Sequence, residues 1–318
     1  VIKPNFVSTR RQLAATHVDA VRAILDFLKP LTSQRIIIAE NPAIGSASEG
    51  FKNYGYLSLK KDYNVELLDI NDYGFKDYEI FDERLNPLRV GISSLLLESD
   101  FLISAAKLKT HDTVIATLSL KNIAVGALQV KSMIHQGYKA ANMSLARLAE
   151  ILPCHLSVID GFVGMEGDGP VGGDPVEMRV ALAGTDFVAV DSVGVRLMGL
   201  EPEEIGYLLH CREKSLGKTR LGDIKIVGNT TIEESKKRFK LHWRDIEASR
   251  RTGLGLELGP AVQAALSCVC QEDTLILRGL MEAADKQMKP GDWSEPDVPW
   301  LMWSPRPRHC SLTASSAS

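Results

Sequence analysis

The chain has 318 residues, 45% of them hydrophobic, and a formal net charge of −3 with a pI near 6.2. It is long enough for one large or two ordinary domains and apolar enough to bury a core, which excludes a globally disordered chain. The slight acidity argues against a general nucleic-acid or anionic-membrane binder. No apolar run reaches the roughly 18 residues that span a bilayer, and no basic start followed by an apolar stretch marks a signal peptide, so a cytoplasmic location is expected.

The opening words Val1-Ile-Lys-Pro-Asn5 read as the end of a strand already under way, so a preceding, truncated segment is expected. Thr16 to Leu31 carries apolar residues at helical spacing (Val18, Val21, Ile24, Leu25, Leu28), with Thr16 as a candidate cap. Strands are predicted at Arg35 to Ala39, Val65 to Ile70 and Asp100 to Ser104, then helices at Thr113 to Leu128 and Ala141 to Leu152. Strands follow at Leu156 to Ile159 and Met178 to Ala183, a helix at Phe187 to Met198, another after Pro202, and a last strand at Ile224 to Val227. Short apolar strands alternating with helices point to an α/β fold, a mainly parallel sheet with helices on both faces.

That rhythm fails after about residue 240. All four tryptophans and a stretch with five prolines between Pro290 and Pro307 lie beyond it, with a helix expected from Glu272 to Met288. The expected division is an α/β domain over 1–240 and a partly disordered C-terminal appendage over 241–318. The five cysteines (Cys154, Cys211, Cys268, Cys270, Cys310) are scattered, without metal-ligand spacing, and read as reduced thiols. No iron–sulfur motif is present in this chain.

In open parallel sheets, ligands bind beyond the carboxyl ends of the strands. Those ends carry Lys3-Pro-Asn5, Glu40-Asn41, the run Lys107, Lys109, Thr110, His111, Asp112, then Asp160-Gly161 with Glu166, and finally Gly184-Thr-Asp186. Residues 101–140 hold five lysines, His111, His135 and one acid, whereas residues 160–191 hold seven acids and one base. A cationic segment facing an acidic one suits an anionic substrate held beside a metal ion or a general acid/base.

Lys107 and Lys109 are two apart in an extended segment and point the same way. With a helix starting near Asp112 they would set ammonium groups beside free backbone N–H donors. Lys121-Asn122 interrupts an apolar helical stretch, so Lys121 is expected to be partly buried and paired with Asp160 or Asp191. The stretch Gly164 to Pro175 has five glycines and two prolines. It is neither a Walker loop nor a dinucleotide fingerprint, and either it approaches a ligand with bare backbone or it merely connects two strands.

Lys3-Pro-Asn5, Lys107-x-Lys-Thr-His111, Ser119-Leu-Lys-Asn122, His135, Ile159-Asp-Gly-x-x-Gly-Met-Glu-Gly-x-Gly-Pro170 and Gly184-Thr-Asp-x-x-Ala-Val-Asp191 occur in that order. In them the chain resembles the family called domain of unknown function 362, over roughly residues 1–230. The resemblance implies an α/β domain and an enzyme but no settled reaction. Some members carry a ferredoxin-type segment with closely spaced cysteines, which this chain lacks.

The leading expectation is an enzyme acting on a small anionic ligand. Lys3, Asn5, Lys107, Lys109, Thr110, Lys121 and Asn122 would bind it. His111, His135, Asp160 and Glu166 would move protons, and Asp160, Glu166 and Asp191 would hold a divalent metal if one is used. The alternatives are a redox accessory protein working with an iron–sulfur partner and a non-catalytic anion-binding module. No nucleic-acid or membrane partner is expected.

Overall fold

The structure, a computed structural model, describes residues 1–228 and 231–236. Its elements in chain order are β1 (Ile2–Lys3), α1 (Val18–Leu28), β2 (Ile36–Glu40), α2 (Ala47–Asn53), α3 (Leu59–Asp62), β3 (Val65–Asp69), β4 (Phe75–Phe81), β5 (Pro87–Ser93) and α4 (Ser94–Leu97). Then come β6 (Ile103–His111), β7 (Ile115–Thr117), α5 (Ser119–Gly126), α6 (Tyr138–Ala149), β8 (Leu156–Glu166), β9 (Asp174–Gly184), α7 (Phe187–Leu197), α8 (Gly206–Glu213) and α9 (Ile232–Lys236).

The main sheet has the order β3-β2-β1-β6-β8-β9, with β7 beside the far end of β6. The pairs β3–β2, β2–β1, β1–β6 and β6–β8 are parallel, while β6–β7 and β8–β9 are antiparallel. The expected α/β, mainly parallel architecture is therefore present, with an antiparallel margin. Two separate apolar clusters cover the two faces. One gathers Val21, Ile24, Leu25 and Leu28 of α1 with Phe51 and Tyr56, and the other gathers residues of α5, α6, α7 and α8. The strands between them are buried on both sides, which is why they read as continuous apolar runs.

Five features depart from the sequence expectation. β6 does not stop near Ser104 but runs to His111, so Lys107, Lys109, Thr110 and His111 are strand residues. No helix starts at Asp112. The chain turns there into the hairpin strand β7, and the helix begins only at Ser119. β8 likewise runs on through Asp160 to Glu166, and the glycine-rich stretch is the tip of the β8–β9 hairpin. The β4–β5 hairpin was not anticipated, and Ile224 to Val227 is not a strand. The expected helix from Glu272 to Met288 lies outside the described residues, as do Cys268, Cys270 and Cys310.

Candidate functional site

The carboxyl edge of the sheet is built around buried charge. Lys3, at the end of β1, donates to both oxygens of Glu40 at the end of β2, at 3.0 and 3.1 Å. Glu40 also accepts from the backbone N–H groups of Phe6 at 2.9 Å and Asn41 at 2.8 Å. Burial lowers the Lys3 ammonium below its ordinary value, and Glu40 opposes the shift. Asn122 of α5 ties this pair to the next strand: its Oδ1 accepts from Lys3 and from Asn5 Nδ2, both at 3.1 Å, and its Nδ2 donates to Ser104 Oγ at 3.0 Å.

Lys107 and Asp160 face each other across β6 and β8, Nζ to Oδ2 at 2.8 Å, and both are almost fully buried. Asp160 also accepts from the backbone N–H groups of His17 at 3.1 Å and Phe162 at 3.2 Å. Strand alternation puts Lys109 on the same face as Lys107, as expected. Its ammonium donates to Asn5 Oδ1 at 2.5 Å and to the Ala14 carbonyl at 2.8 Å, with no carboxylate among its hydrogen-bond partners. Burial, then the charges of Lys121 and Lys107, push it well below the ordinary lysine value.

Lys121 is 8% exposed and has no hydrogen-bond or ion-pair partner among the described residues. Burial lowers it to about 8, and Asp112 is the charge that resists. The expected partners are committed elsewhere. Asp160 takes Lys107, and Asp191 accepts from the backbone N–H groups of Ser119 at 2.8 Å and Leu120 at 3.0 Å, capping α5 from a neighbouring helix. Burial pushes the Asp191 carboxyl up to about 8 although those two donors favour its charged form. Lys121 is instead the common cationic neighbour of the site, since its charge acts on Lys109, Lys131, His111 and His135.

His111 and His135 stack, with ring centroids 6.2 Å apart and planes 10° from parallel. Burial, followed by Lys121, pushes His111 down to about 3 and lowers His135 as well. Two contacts compete for His111 Nδ1: the Thr113 N–H at 3.0 Å and the Asp112 carboxylate at 2.9 Å. A neutral ring accepts from Thr113 and keeps its proton on Nε2, whereas the Asp112 side chain is 70% exposed and free to turn to water. Both shifts favour the neutral rings near neutrality.

Of the residues picked from the sequence, Lys3, Asn5, Lys109 and Asn122 form one hydrogen-bonded network, Lys107 and Asp160 form a separate buried pair, and the charge of Lys121 reaches Lys109, His111 and His135. Thr110 is used structurally, donating to the Gly167 carbonyl at 2.9 Å, and holds the hairpin tip down. Glu166 closes β8 opposite Asp174 in a half-buried position. Asp160, Glu166 and Asp191 do not come together: among the described residues, no group of three or more His, Cys, Asp or Glu side chains is placed to hold a metal. Nor does the acidic segment face the cationic one as a whole. Asp160 pairs with Lys107, while Asp186 caps α7 and Glu177 pairs with Arg179 in solvent.

Sequence reasoning noted Glu40-Asn41 at a strand end and Lys131 among the lysines of residues 101–140, but chose none of the three as a site residue. The Lys131 Nζ and Asn41 Oδ1 atoms are shut off from solvent and have no hydrogen-bond partner, and burial pushes Lys131 down to about 7. The available signal was Glu40-Asn41 directly after the apolar run Ile36-Ile-Ile-Ala39. A cavity of about 410 Å³ lies at the opposite, amino edge, lined among others by Arg35, Ile36, Tyr73, Asp100 and Phe101. It holds none of these shielded lysines, so the chemistry points to the carboxyl edge instead.

A family model described as domain of unknown function (DUF362) matches residues 1–196. The chain belongs to this family. The site residues described above, from Lys3 to Asp191, all fall inside that match. The thylakoid-associated protein sll1697 of Synechocystis sp. is 29% identical over 215 residues, 64% of each chain. A second family model, encapsulating protein for peroxidase, matches residues 211–288. The type 1 encapsulin shell protein EncA of Myxococcus xanthus is 43% identical over 75 residues, 21% of this chain and 26% of that protein. The chain thus spans less than two thirds of the length of either relative. No helix among the described residues is long and apolar enough to cross a membrane.

Proposed function

We propose that the DUF362 part of this chain binds a small oxyanion at the carboxyl edge of its sheet and transfers a proton to or from it through His111 and His135. One observation carries the reading: Lys109, Lys121 and the Lys131 ammonium are buried without a carboxylate hydrogen-bonded to any of them, and the charge of Lys121 reaches both of the others. Placing uncompensated ammonium groups in a low-dielectric site is costly, and such sites are usually neutralised by pairing or ligand binding. An oxyanion supplies the missing charge. Burial and Lys121 hold the stacked imidazoles neutral, and a bound anion offsets the charge of Lys121 and so raises their affinity for a proton.

Lys3–Glu40 and Lys107–Asp160 serve as internally neutral props that hold β1, β2, β6 and β8 in register around the free cations. A divalent metal, if used, would have Asp160 as a buried carboxylate, but that group is already spent on Lys107 and two backbone N–H donors, so the arrangement favours a metal-independent anion site. The similarity of residues 211–288 to a quarter of a shell protein is separate from this reading and covers too little of that protein to carry its assembly to this chain.

The test is calorimetric titration with inorganic phosphate at two ionic strengths. The wild type should bind, more tightly at low salt, and Lys121→Met should lose about tenfold or more in affinity, the value of one charge-assisted contact. No phosphate binding, or equal binding by the variant, would refute the reading.

A further inference from the structure

The edge of the site between β2 and the segment after α5 contains two unmet hydrogen-bonding groups of opposite sense. Lys131 is half-buried as a residue, but its Nζ is closed off from solvent and donates to nothing; Asn41 Oδ1 is likewise closed off and accepts from nothing. Asn41 is oriented by its amide, whose Nδ2 donates to the Leu128 carbonyl at 3.4 Å, three residues before Lys131. That bond fixes which end of the amide faces inward, since the reverse orientation would set two carbonyl oxygens together. The two groups share one corner: Glu40, next to Asn41 in the chain, is the charge that Lys131 feels most, and Lys3, Asp69 and Lys121 follow it.

The corner therefore asks for an anionic oxygen at Lys131 and a hydroxyl donor at Asn41. A phosphate group that keeps one proton offers both at once, and a plain carboxylate offers only the first. Lysine favours phosphate as a point charge, whereas bidentate carboxylate recognition is usually the work of arginine. The number of cations agrees: a phosphate group carries about −1.5 to −2 near neutrality, so two linked groups suit the three ammonium groups of Lys109, Lys121 and Lys131 better than one. We infer that the ligand is a diphosphate, its first group at Lys109 and Lys121 and its second at Lys131 and Asn41. The inference rests on the anion-site reading above and adds the class of anion.

The experiment compares inorganic phosphate with inorganic pyrophosphate by calorimetry in metal-free buffer, using the full chain. The wild type should prefer pyrophosphate by about tenfold or more, and Lys131→Gln should reduce that preference to about threefold or less by weakening pyrophosphate more than phosphate. Asn41→Asp, which sets a negative charge where the acceptor stands, should weaken pyrophosphate selectively and decides the matter if Lys131→Gln does not fold. Phosphate binding with no pyrophosphate preference, or a preference that survives both substitutions, would overturn the diphosphate inference alone. Failure of the wild type to bind either anion would overturn the anion-site reading with it.

Discussion

Lys107 and Asp160 occupy partner positions on the adjacent parallel strands β6 and β8, their side chains 2.8 Å apart and almost entirely buried, while Lys109, two residues further along β6, has only neutral oxygens as partners. The same strand thus presents one compensated and one uncompensated ammonium group to the carboxyl edge of the sheet. That contrast separates what holds the site together from what is left to bind.

The compensated pair should behave as a structural unit. Lys107→Met and Asp160→Asn should each cost about 3–5 kcal/mol, because each strands the opposite charge in the interior. The double variant should recover much of that loss. Urea denaturation of the three variants gives the coupling directly, and additive single effects would show that the pair is not a unit.

Anion binding should depend on pH through Lys121 and Lys131. Their values fall from 10.5 to about 8 and about 7 on folding, so in that window the unfolded chain holds more protons and stability rises with pH. A bound anion restores the charged form, so binding takes up protons and weakens as pH rises through 8. Asp112, Glu40 and Asp69 oppose the lysine shifts, and Lys3 and Lys121 reinforce that of Lys131. Sulfate, whose charge is fixed over this range, should raise Tm more at pH 6.5 than at pH 9; an equal rise at both would remove the lysines from the explanation.

Asp191 should act through its cap. Its carboxyl rises from 3.8 to about 8 on folding, so its contribution to stability is full below about 3.8 and is lost as pH climbs through about 8. Asp191→Asn keeps an acceptor without the charge and should flatten that slope, whereas Asp191→Ala leaves the Ser119 and Leu120 N–H groups bare and should cost about 1–3 kcal/mol. Thermal melts of the two variants between pH 5 and 9 check both effects.

Gly126 should resist the substitution that normally strengthens a helix. Alanine is favoured over glycine within helices by up to about 1 kcal/mol, less at the last residue of α5, where Gly126 stands, and a Cβ at Gly126 would overlap the Lys3 side chain at Cε. Gly126→Ala should therefore destabilise the fold by about 1–3 kcal/mol, as overpacking does, and disturb the Lys3–Glu40 pair. An unchanged or raised midpoint in denaturant would mean that Lys3 moves aside at no cost.

Much of this was legible in the sequence. The apolar runs Ile36 to Ala39 and Leu156 to Ile159 marked central parallel strands because both of their faces are covered, and the two-residue spacing of Lys107 and Lys109 gave their common face. The end of β6 was misplaced because buried lysines look like the polar end of a strand; here Lys107 pairs with Asp160, and Lys109 reaches the Asn5 and Ala14 oxygens beside the sheet. The helix expected from Asp112 yielded to the β7 hairpin, and α5 takes its N-terminal cap from Asp191, 72 residues away from Ser119, a partner that no local pattern announces. Lys121 was rightly read as buried, but pairing it by rule with an acid missed that Asp160 and Asp191 were already satisfied. Glu40, Asn41 and Lys131 escaped selection because each meets the site through tertiary contact and not through a motif.

The central claim is that the uncompensated lysines at the carboxyl edge bind an oxyanion. Diffraction from crystals soaked in arsenate, a phosphate analogue with a strong anomalous signal, tests it most directly. The account predicts an arsenic peak with oxygens within hydrogen-bond reach of Lys121 Nζ. A peak confined to the amino-edge cavity beside Arg35 and Asp100, with the lysine cluster left empty, would contradict it.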